Sequence, residues 1–544
     1  MYLSFKDSYD LFTIIPFISM NPEWLKFKKY PHIGMPLTEK KDSGWIVKYV
    51  MNPQQILTHK FLPLLHRTMS QKKFRPDNSV TLNPSGKRKR KHYPSKKRQI
   101  YFPSHLDSII YSYYSYLLMN AYEDFLADKP YRHVAVAYRK IANEDESQGN
   151  KCNIEFAKEA FDFILSQKHR KLSVIVADVT SFFDNLDHRL LHTQWKKVLG
   201  VTDLPKDHYV VYKSLVNYRY VNESQLYRCF KDKLIVERCK VNDDKHTVYK
   251  RKHVKKAYNL RREKVVAFCT AKDFFKDAVG LIHADKPYNA KMRELEGKSV
   301  LKGIPQGTPI SATLANLYML DFDDKLYAKV SEKAGFYQRY SDDLVLICDQ
   351  NDEKYFYDLV IREIEEKAKL TIQSTKTHIY HYEMNSESVL QGGLRNDVCV
   401  NGNKQLEYLG FKFDGKKVYV KTVSFSRFYR KMKRSFGRGV HFAKQSYSPS
   451  HALFEWRLYK KYTHLGAHRR LKWEKVGNPP KFVRTTQYDW GNFISYLNKA
   501  NAVMKPINQD DTIKKQYRKV WNKFDAIKKE AYNQINSSLK NSQA

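Results

Sequence analysis

Two short hydrophobic runs in this chain carry aspartate at one end, and this shared pattern restricts the fold more than any other feature. Ser173–Ala177 (SVIVA) leads into Asp178, whereas Asp342 and Asp343 stand immediately before Leu344–Cys348 (LVLIC). Continuous runs of this length, rich in β-branched residues, are typical of buried strands. The stretch RYSDDLVLIC by itself favours a β-turn with solvated charges, because Ser-Asp-Asp is common in turns.

The three aspartates raise the question of what holds carboxylates together. If the two strands are neighbours in one sheet, Asp178, Asp342 and Asp343 converge, although the sequence leaves that pairing open. Like charges crowded in a partly dry site are costly unless a cation compensates them. Mg²⁺ binds a few carboxylate oxygens and keeps positions for water and phosphate oxygens. Two such ions can activate a hydroxyl nucleophile and stabilise a leaving group, which indicates phosphoryl transfer.

The charge balance indicates a polyanionic partner. Lys and Arg number 97 against 57 Asp and Glu, which gives a net charge of +40 and a pI of about 9.7. Such a surface attracts nucleic acid at long range. A membrane surface is the alternative, but no lipidation motif and no lone basic amphipathic helix supports it.

The remaining composition predicts a cytoplasmic, reduced protein without a membrane span. The chain is 42% hydrophobic, and no uncharged apolar stretch approaches the roughly 20 residues that cross a bilayer. Asp7, Asp10 and Pro16 are incompatible with a signal peptide. The six cysteines show no CxxC pairing, so neither a zinc knuckle nor a disulfide framework is expected.

Periodicity predicts helices and strands along the whole chain. A dense basic run from Gly86 to Pro103 ends in a strand-like alternation, and Tyr408–Val420 predicts a hairpin with Asp414-Gly415 at its turn. The basic run Tyr249–Lys264 favours a solvated helical face. Helices are also predicted at Ile56–His66, from Ile109 to Leu126, after Thr308, at Lys354–Lys369 and through most of residues 421–544, with a strand near Leu370–Ile372.

Six segments, in order, resemble the motifs of reverse transcriptases, in particular of the bacterial group II intron-like branch. They are KKRQIYFP (Lys96–Pro103), ADVTSFFDNLDH (Ala177–His188), GIPQGTPIS (Gly303–Ser311), YSDD (Tyr340–Asp343), LTIQSTKTHI (Leu370–Ile379) and YLGF (Tyr408–Phe411). The resemblance implies an α+β fold of the right-hand polymerase type, with an antiparallel palm sheet that carries the acids, helices behind it and a helical thumb. It implies a mostly helical N-terminal extension at residues 1–85, fingers and palm at 86–420 with a basic insert around 189–300, and a helical, basic thumb at 421–544.

The resemblance also implies catalytic roles. Asp178 and Asp342 would bind both metal ions, with Asp343 assisting and the Val179 carbonyl as a backbone ligand. Lys376 aligns with a lysine that protonates pyrophosphate. The implied cofactor is a pair of Mg²⁺ ions, for which Mn²⁺ can substitute.

Further residues are implied in nucleotide binding. Phe183, five residues past Asp178, matches the steric gate whose bulk rejects a ribose 2′-hydroxyl. The other implied contacts are those of Gln306 and Gly307 with the base and sugar, of Lys97 and Arg98 with the triphosphate, and of Tyr340 with the primer end.

Together these features predict an RNA-directed DNA polymerase that makes cDNA from a dedicated noncoding RNA in antiphage defence. Three flanking segments resemble the "unknown-group" and abortive-infection reverse transcriptases. They are FLP (Phe61–Pro63), AYRK (Ala137–Lys140) and YTHLG…GNFISYLNKA (Tyr462–Ala500). The expected partners are an RNA template, the DNA product, dNTPs and a second copy of the chain.

Other functions stay open at this point. One is a non-templated or protein-primed DNA polymerase of the same branch, although 39 tyrosines single out no priming residue. Another is an intron maturase or a retroelement reverse transcriptase, which the neighbourhood of the gene would distinguish. The last is a catalytically idle RNA-binding scaffold. The acid cluster weighs against a scaffold, because a scaffold has no use for uncompensated carboxylates.

Overall fold

The structure is a computed structural model that describes most of the chain. The described residues are 22–76, 90–144, 149–240, 243–284, 302–395, 400–401, 404–445, 452–468, 470–476, 481–489 and 491–543. Several parts of the sequence predictions lie outside them. Among these are residues 1–21 and 77–85 of the predicted N-terminal extension, residues 86–89 of the basic run, and residues 241–242 and 285–300 of the predicted insert.

Strands occur in both halves of the described chain. They are β1 (His32–Ile33), β2 (Leu64–Pro76), β3 (Arg90–Phe102), β4 (Leu172–Asp178), β5 (Tyr220–Asn222), β6 (Leu234–Lys240), β7 (Asp243–Lys252), β8 (Val265–Cys269), β9 (Ile282–His283), β10 (Phe336–Tyr340), β11 (Asp343–Asp349), β12 (His378–Met384), β13 (Leu390–Arg395), β14 (Val400–Asn401), β15 (Leu406–Tyr408), β16 (Phe411–Phe413), β17 (Val418–Val420), β18 (Arg470–Val476) and β19 (Lys481–Asp489).

Helices alternate with these strands. They are α1 (Glu39–Val50), α2 (Pro53–Thr58), α3 (His105–Leu126), α4 (Asn153–Ser166), α5 (Phe182–Asn185), α6 (His188–Leu199), α7 (Lys206–Val216), α8 (Glu223–Phe230), α9 (Ala271–Asp277), α10 (Ser311–Tyr318), α11 (Leu320–Glu332), α12 (Glu353–Ala368), α13 (Thr422–Lys444), α14 (Glu455–Tyr462), α15 (Phe493–Asn508), α16 (Thr512–Tyr517) and α17 (Val520–Gln543).

The chain divides into two compact units, each built from several separate segments. Unit 1 takes its described residues from Met1–Arg132, Thr180–Phe322 and Glu365–Leu370. It contains two four-stranded sheets, with the strand orders β1-β8-β6-β7 and β3-β2-β5-β9. Buried Phe230, Phe268 and Phe274 belong to the apolar core beside the first of these sheets.

Unit 2 takes its described residues from His133–Val179, Asp323–Ile364 and Thr371–Ala544. Its main element is a six-stranded sheet with the order β10-β11-β4-β12-β13-β14, antiparallel at every pair. The three-stranded sheet β15-β16-β17 and helices α4 and α15 contribute to one apolar core with it. A second core lies among α13, α14 and α17.

Several sequence predictions agree with this architecture. The amphipathic helix is α3, the two hydrophobic runs are β4 and β11, and the hairpin of β16 and β17 has Gly415 at φ +97° in its turn. The mixture of helix and sheet expected of an α+β fold is confirmed.

Three predictions of local structure are wrong. Tyr249–Lys264 is not a helical face, because its first residues complete β7, where they pair with β6. Ile56–His66 leaves the helical state after Thr58 and enters β2 at Leu64. The strand expected near Leu370–Ile372 is only an isolated bridge from Val179 to Ile372, and the strand itself, β12, begins at His378. These predictions were based on charge and local periodicity. In the fold, the secondary structure of these segments is decided by strand partners that are distant in sequence.

None of the helices within the described residues combines the length and the apolar composition that a membrane crossing requires.

Candidate active site

The two aspartate-bearing strands are neighbours in the six-stranded sheet. β11 pairs with β4 in an antiparallel register that sets Asp343 opposite Asp178 and Leu344 opposite Ala177. Directly opposed residues of an antiparallel pair project from the same face, with Cβ atoms about 5 Å apart. Leu344, Val345 and Leu346 are fully buried, which anchors the acids to the core. The structure thus pairs the two strands, which the sequence had left open.

Asp342 lies in the tight turn that joins β10 to β11. Tyr340 pairs with Asp343 across this turn, and Ser341 adopts a left-handed conformation with φ +62°. The backbone N–H of Val179 donates a hydrogen bond of 3.1 Å to the Asp342 carbonyl oxygen. The turn that the ten residues favoured is therefore present, and it is tied to the residue that follows Asp178.

A buried ion pair supports this turn from below. The Arg339 guanidinium is fully buried and donates from Nε to both carboxylate oxygens of Asp323, at 2.8 and 3.1 Å. Its Nη1 donates to the Ser341 carbonyl oxygen at 3.1 Å, and the Tyr337 hydroxyl donates to Asp323 at 2.8 Å. One side chain thus satisfies a buried carboxylate and holds the backbone of the turn.

Sequence reasoning missed Arg339 and Asp323. A usable signal was present, because Arg339 precedes the acid turn on a strand whose residues Tyr337 and Gln338 are buried. A guanidinium at such a position needs a buried carboxylate as partner.

The crowding of the acids changes the ionisation of Asp343. Its pKa is raised to about 6, first by the protein atoms that surround and desolvate the carboxyl and then by the negative charges of Asp342 and Asp178. Lys421 and Lys376 act in the opposite direction. At Asp343, desolvation and the two neighbouring acids together thus outweigh the effect of the two lysines.

Lys376 neutralises Asp178 directly. It lies in a short 3₁₀ turn (Ser374–Lys376), and its Nζ forms an ion pair with the Asp178 carboxylate. The Gln373 N–H donates to the Asp178 carbonyl oxygen at 2.8 Å, which attaches this turn to the end of β4.

The described residues contain no ready group of three or more His, Cys, Asp and Glu side chains placed to hold a metal ion. The three aspartates expected to act as metal ligands are thus brought near one another without forming such a group, and the Lys376 ammonium supplies the positive charge at Asp178. Their donor chemistry nevertheless fits Mg²⁺, because all three offer carboxylate oxygens.

We expect the ionisation of Asp343 to make the free energy of unfolding depend on pH. The pKa of Asp343 is higher in the folded protein than the ordinary value near 4. The stabilisation that its carboxyl gives the folded protein is therefore present in full below about pH 4 and is lost as the pH rises through about 6. Asp343→Asn should therefore be more stable than the unchanged protein at pH 7.5, with the gap closing towards pH 4. Thermal unfolding at a series of pH values measures this gap. A gap that does not change with pH would contradict the assignment.

The AYRK segment lies beside the acid turn. Ala135 and Arg339 form a parallel bridge, in which the Val136 N–H donates to the Arg339 carbonyl at 3.0 Å. Tyr138, which has φ +65° and is half exposed, donates from its hydroxyl to Ser341 Oγ at 3.3 Å. Tyr340 is half-buried nearby. Its pKa is raised mainly by burial and, to a smaller extent, by the neighbouring Tyr138. The role of Tyr340 at the primer end stays a prediction.

Phe183 belongs to unit 1, where the glycine-rich loop holds its backbone. The Ile304 N–H donates to the Phe183 carbonyl oxygen at 2.9 Å, while the Gly303 N–H donates to Leu186 at 2.7 Å. The Phe183 ring is partly exposed, whereas the adjacent Phe182 is buried. Of the two rings, Phe183 is thus the one that a ligand can reach.

Gln306 and Gly307 pack against the end of β3. The Tyr101 N–H donates to the Gln306 carbonyl oxygen at 2.9 Å. A Cβ atom at Gly307, whose φ is +121°, would lie 2.8 Å from the Tyr101 carbonyl oxygen and 3.0 Å from the Ile100 side chain. Only glycine permits this approach of loop to strand.

The strand alternation separates the two predicted triphosphate clamps. Side chains alternate between the two faces of a strand, so Arg98 shares a face with Ile100, whose side chain lies next to Gly307. Lys97 shares the opposite face with Gln99 and Tyr101. Gln99 on that other face bonds the His66 ring at 2.7 Å. Arg98 and Lys97 are both exposed, but they project from opposite faces, so only Arg98 shares a face with the contact to the loop.

Replacing either loop glycine should destabilise unit 1. Gly303 has φ +86°, and the new Cβ of Gly303→Ala would lie 2.5 Å from the Asp184 carbonyl oxygen. The new Cβ of Gly307→Ala would lie 2.8 Å from the Tyr101 carbonyl oxygen. Gly200→Ala is the matched control, because Gly200 has φ +65° with open space around it. We expect the control to lose about 1 kcal/mol and the loop variants about 2 kcal/mol or more, measured by urea unfolding. Equal losses for all three would remove the steric argument.

Comparisons with known proteins agree with the geometry. Residues 205–413 match the family described as Reverse transcriptase (RNA-dependent DNA polymerase). The match includes Asp342, Asp343 and Lys376, whereas Asp178 precedes it and is joined to these residues by the sheet register. No curated protein matches the chain.

Solved telomerase structures are also similar to this chain. Apo telomerase from Candida tropicalis, truncated from its C-terminal domain, has 12% identity over 70% of this chain and 59% of its own, with a TM-score of 0.34. Telomerase from Candida albicans in complex with a fragment of telomeric RNA has 13% identity over 91% of this chain and 68% of its own, also at 0.34. The chain spans 59% of the length of the first of these. The family match by itself identifies a reverse transcriptase domain at residues 205–413, the domain of an RNA-directed DNA polymerase.

Proposed function

We propose that this protein is an RNA-directed DNA polymerase that uses the acids at the end of β4 and β11. The observation that carries the proposal is the register that sets Asp343 opposite Asp178, with Asp342 in the adjoining turn. The match of residues 205–413 to the reverse transcriptase family supports it independently. A net charge of +40 suits a nucleic-acid substrate.

Asp178 and Asp342, assisted by Asp343 and the Val179 carbonyl, would hold two Mg²⁺ ions, with Mn²⁺ as a substitute. When bound, the metal ions would lower the pKa of a 3′-hydroxyl and stabilise the charge of the leaving pyrophosphate.

The chain's own side chains supply the remaining functions. Lys376 Nζ pairs with the Asp178 carboxylate, a position from which it would donate to the leaving group. Arg98 offers a forked donor to the triphosphate from the face that meets the Gly307 loop. Gln306 and Gly307 line the base and sugar, and Lys97 is assigned a weaker, longer-range attraction.

Phe183→Ala should relax the choice of sugar. The bulk of the partly exposed ring would clash with a 2′-hydroxyl, so its removal is expected to raise ribonucleotide incorporation relative to deoxynucleotide incorporation by roughly tenfold or more. Primer extension with matched dNTP and NTP measures the ratio. Phe182→Ala is the control, because that ring is buried and its loss should lower stability without changing sugar selection. An unchanged ratio in Phe183→Ala would remove the gate role.

We infer further that residues 86–420 form fingers and palm and residues 421–544 a thumb. The resemblance of FLP, AYRK and YTHLG…GNFISYLNKA to defence-associated reverse transcriptases supports a role in antiphage defence with a dedicated noncoding RNA as template. All three flanks make structural contacts. The Leu62 N–H bonds the buried Asp107 carboxylate, Tyr138 bonds Ser341, and the Asn492 side chain bonds the Thr463 carbonyl oxygen.

The decisive experiment purifies the protein and sequences both its co-purifying RNA and its DNA product. A product complementary to one abundant RNA supports the templated polymerase. A product with no complementary RNA would instead favour the non-templated alternative, and DNA linked covalently to protein would favour protein priming. Intron sequence in the RNA would favour a maturase. Absence of any DNA product with dNTPs and Mg²⁺ would contradict the proposal.

A further inference from the structure

A cavity of about 710 Å³ lies among the C-terminal helices of unit 2, apart from the acid turn. Five of its lining residues are cationic and none is acidic. The cationic residues are Arg427, Lys431, Arg457, Lys460 and Lys461. A volume between about 300 and 1,000 Å³ is usual for a pocket that binds a small organic ligand.

Two helices direct the positive charge into this cavity. Ser424, Arg427 and Lys431 follow one face of α13 at helical spacing, and α13 contains no Asp or Glu. Arg457, Lys460 and Lys461 follow one face of α14. The single acid of α14, Glu455, is committed to Lys528 at 2.7 Å. Neither helix therefore contributes a carboxylate to the lining of the cavity.

The end of the cavity is built by the YTHLG and GN segments. The Asn492 side-chain amide donates to the carbonyl oxygens of Lys460 and Thr463 at 3.1 and 2.7 Å, and its oxygen caps α15 by accepting from the Ile494 N–H at 2.8 Å. The Tyr462 hydroxyl donates to the Lys431 carbonyl oxygen at 3.0 Å. These bonds join α13, α14 and the start of α15 into one framework.

Aromatic rings form part of the wall. Phe428 lies 5.1 Å from Phe493 and 5.6 Å from Tyr462 between ring centroids, and all three line the cavity. Aromatic faces stack with nucleobases, whereas forked and point cations bind phosphate oxygens. Phe428 and Tyr462 are buried behind the wall, so the partly exposed ring of Phe493 is the one that a base can reach.

We propose that this cavity binds a nucleoside 5′-polyphosphate, either free or as the 5′-triphosphate end of an RNA strand. Several phosphates on one nucleoside match the cationic lining that includes Arg427, Lys431 and Arg457, and one nucleotide fits the volume. A continuous duplex backbone would instead follow an open surface. The binding is separate from catalysis and does not depend on the acids of β4 and β11.

The test compares short RNAs of one sequence that carry a 5′-triphosphate or a 5′-hydroxyl. Binding is measured with EDTA, so that no metal ion supports nucleotide binding at the acid turn. The pocket variant is Arg427→Gln/Lys431→Gln. Its matched control is Arg430→Gln/Lys433→Gln, which removes the same charge from exposed positions of the same helix that do not line the cavity. Thermal unfolding establishes that both variants are folded.

We expect the triphosphate end to bind at least roughly tenfold more tightly than the hydroxyl end. This preference should disappear in the pocket variant and persist in the control. Competition separates the two sources: GTP that displaces the RNA indicates a free nucleotide, whereas displacement by triphosphorylated RNA alone indicates an RNA end, and either result supports the proposal. Equal binding of the two ends, or equal loss of the preference in both variants, would overturn it, as would tripolyphosphate competing as well as GTP.

Discussion

Asparagine in place of Asp178 or Asp342 will abolish Mg²⁺-dependent dNTP incorporation and leave RNA binding close to that of the unchanged protein. Each substitution preserves side-chain volume but removes a carboxylate charge at the end of β4 or in the turn before β11. Neutral amide oxygens compensate Mg²⁺ poorly, and losing a principal electrostatic contribution commonly lowers a rate by about 10³-fold or more. Primer extension with labelled dNTPs measures the rate, and filter binding measures the affinity for RNA.

The matched control for this experiment is Asp349→Asn. Asp349 lies at the other end of the same strand, opposite Leu172, and interacts with Arg170 at 3.7 Å. This variant makes the same chemical change at the end of β11 that is far from the turn. We expect activity within about twofold of the unchanged protein, since the pair with Arg170 is long and distant from the acids. Substantial synthesis by Asp178→Asn would exclude the metal assignment, and loss of activity in the control would show that any change of charge on β11 is harmful.

Arg339→Met will produce the largest loss of stability among single substitutions at the site. The change leaves the Asp323 carboxylate buried with only the Tyr337 hydroxyl as a bonded donor, and it leaves the Ser341 carbonyl without its guanidinium donor. Removing one partner of a buried ion pair costs about 3–5 kcal/mol. Urea unfolding measures the loss. Activity should fall as well, because Ser341 directly precedes Asp342 in the turn.

A double variant separates the electrostatic effect from the positioning effect. Arg339→Met/Asp323→Leu removes both charges and should recover much of the stability, whereas the turn would still lack its donor and activity should stay low. Lys329→Met is a control on the same helix as Asp323, since its pair with Glu332 is exposed and should contribute less than about 1 kcal/mol. A loss in Arg339→Met no larger than that of Lys329→Met would contradict the role assigned to the buried pair.

The main features of the acid site could be predicted from the sequence because they are local. The β-branched runs, the Ser-Asp-Asp turn and the Asp414-Gly415 hairpin each follow from residues adjacent in the chain. The pairing of β4 with β11 was only one possibility in the sequence, and the register in the structure decides it. The roles of Asp178, Asp342 and Asp343 as metal ligands remain predictions that rest on the resemblance.

What the sequence did not indicate depends on distant partners. Predicting the bond between Arg339 and Asp323 would require knowing which face of β10 packs against α11. The basic run at Tyr249–Lys264 was predicted to be helical because its charges suit a solvated helical face. Its first residues instead form hydrogen bonds with the edge of β6. Lys97 and Arg98 were treated as one clamp, although a strand directs neighbouring side chains to opposite sides.

The order of strands in the six-stranded sheet also has a consequence for synthesis on the ribosome. β4 emerges first, yet both of its neighbours, β11 and β12, are encoded much later, and Lys376 follows Asp178 by 198 residues. β11 is complete only at Asp349. At translation rates of roughly 5–20 residues per second, β4 therefore waits about 9–34 s with both edges unpaired. Unpaired hydrophobic edges are prone to associate with other chains. The nascent protein should therefore need chaperone protection over this interval, and slowing translation beyond residue 178 should lower the soluble yield.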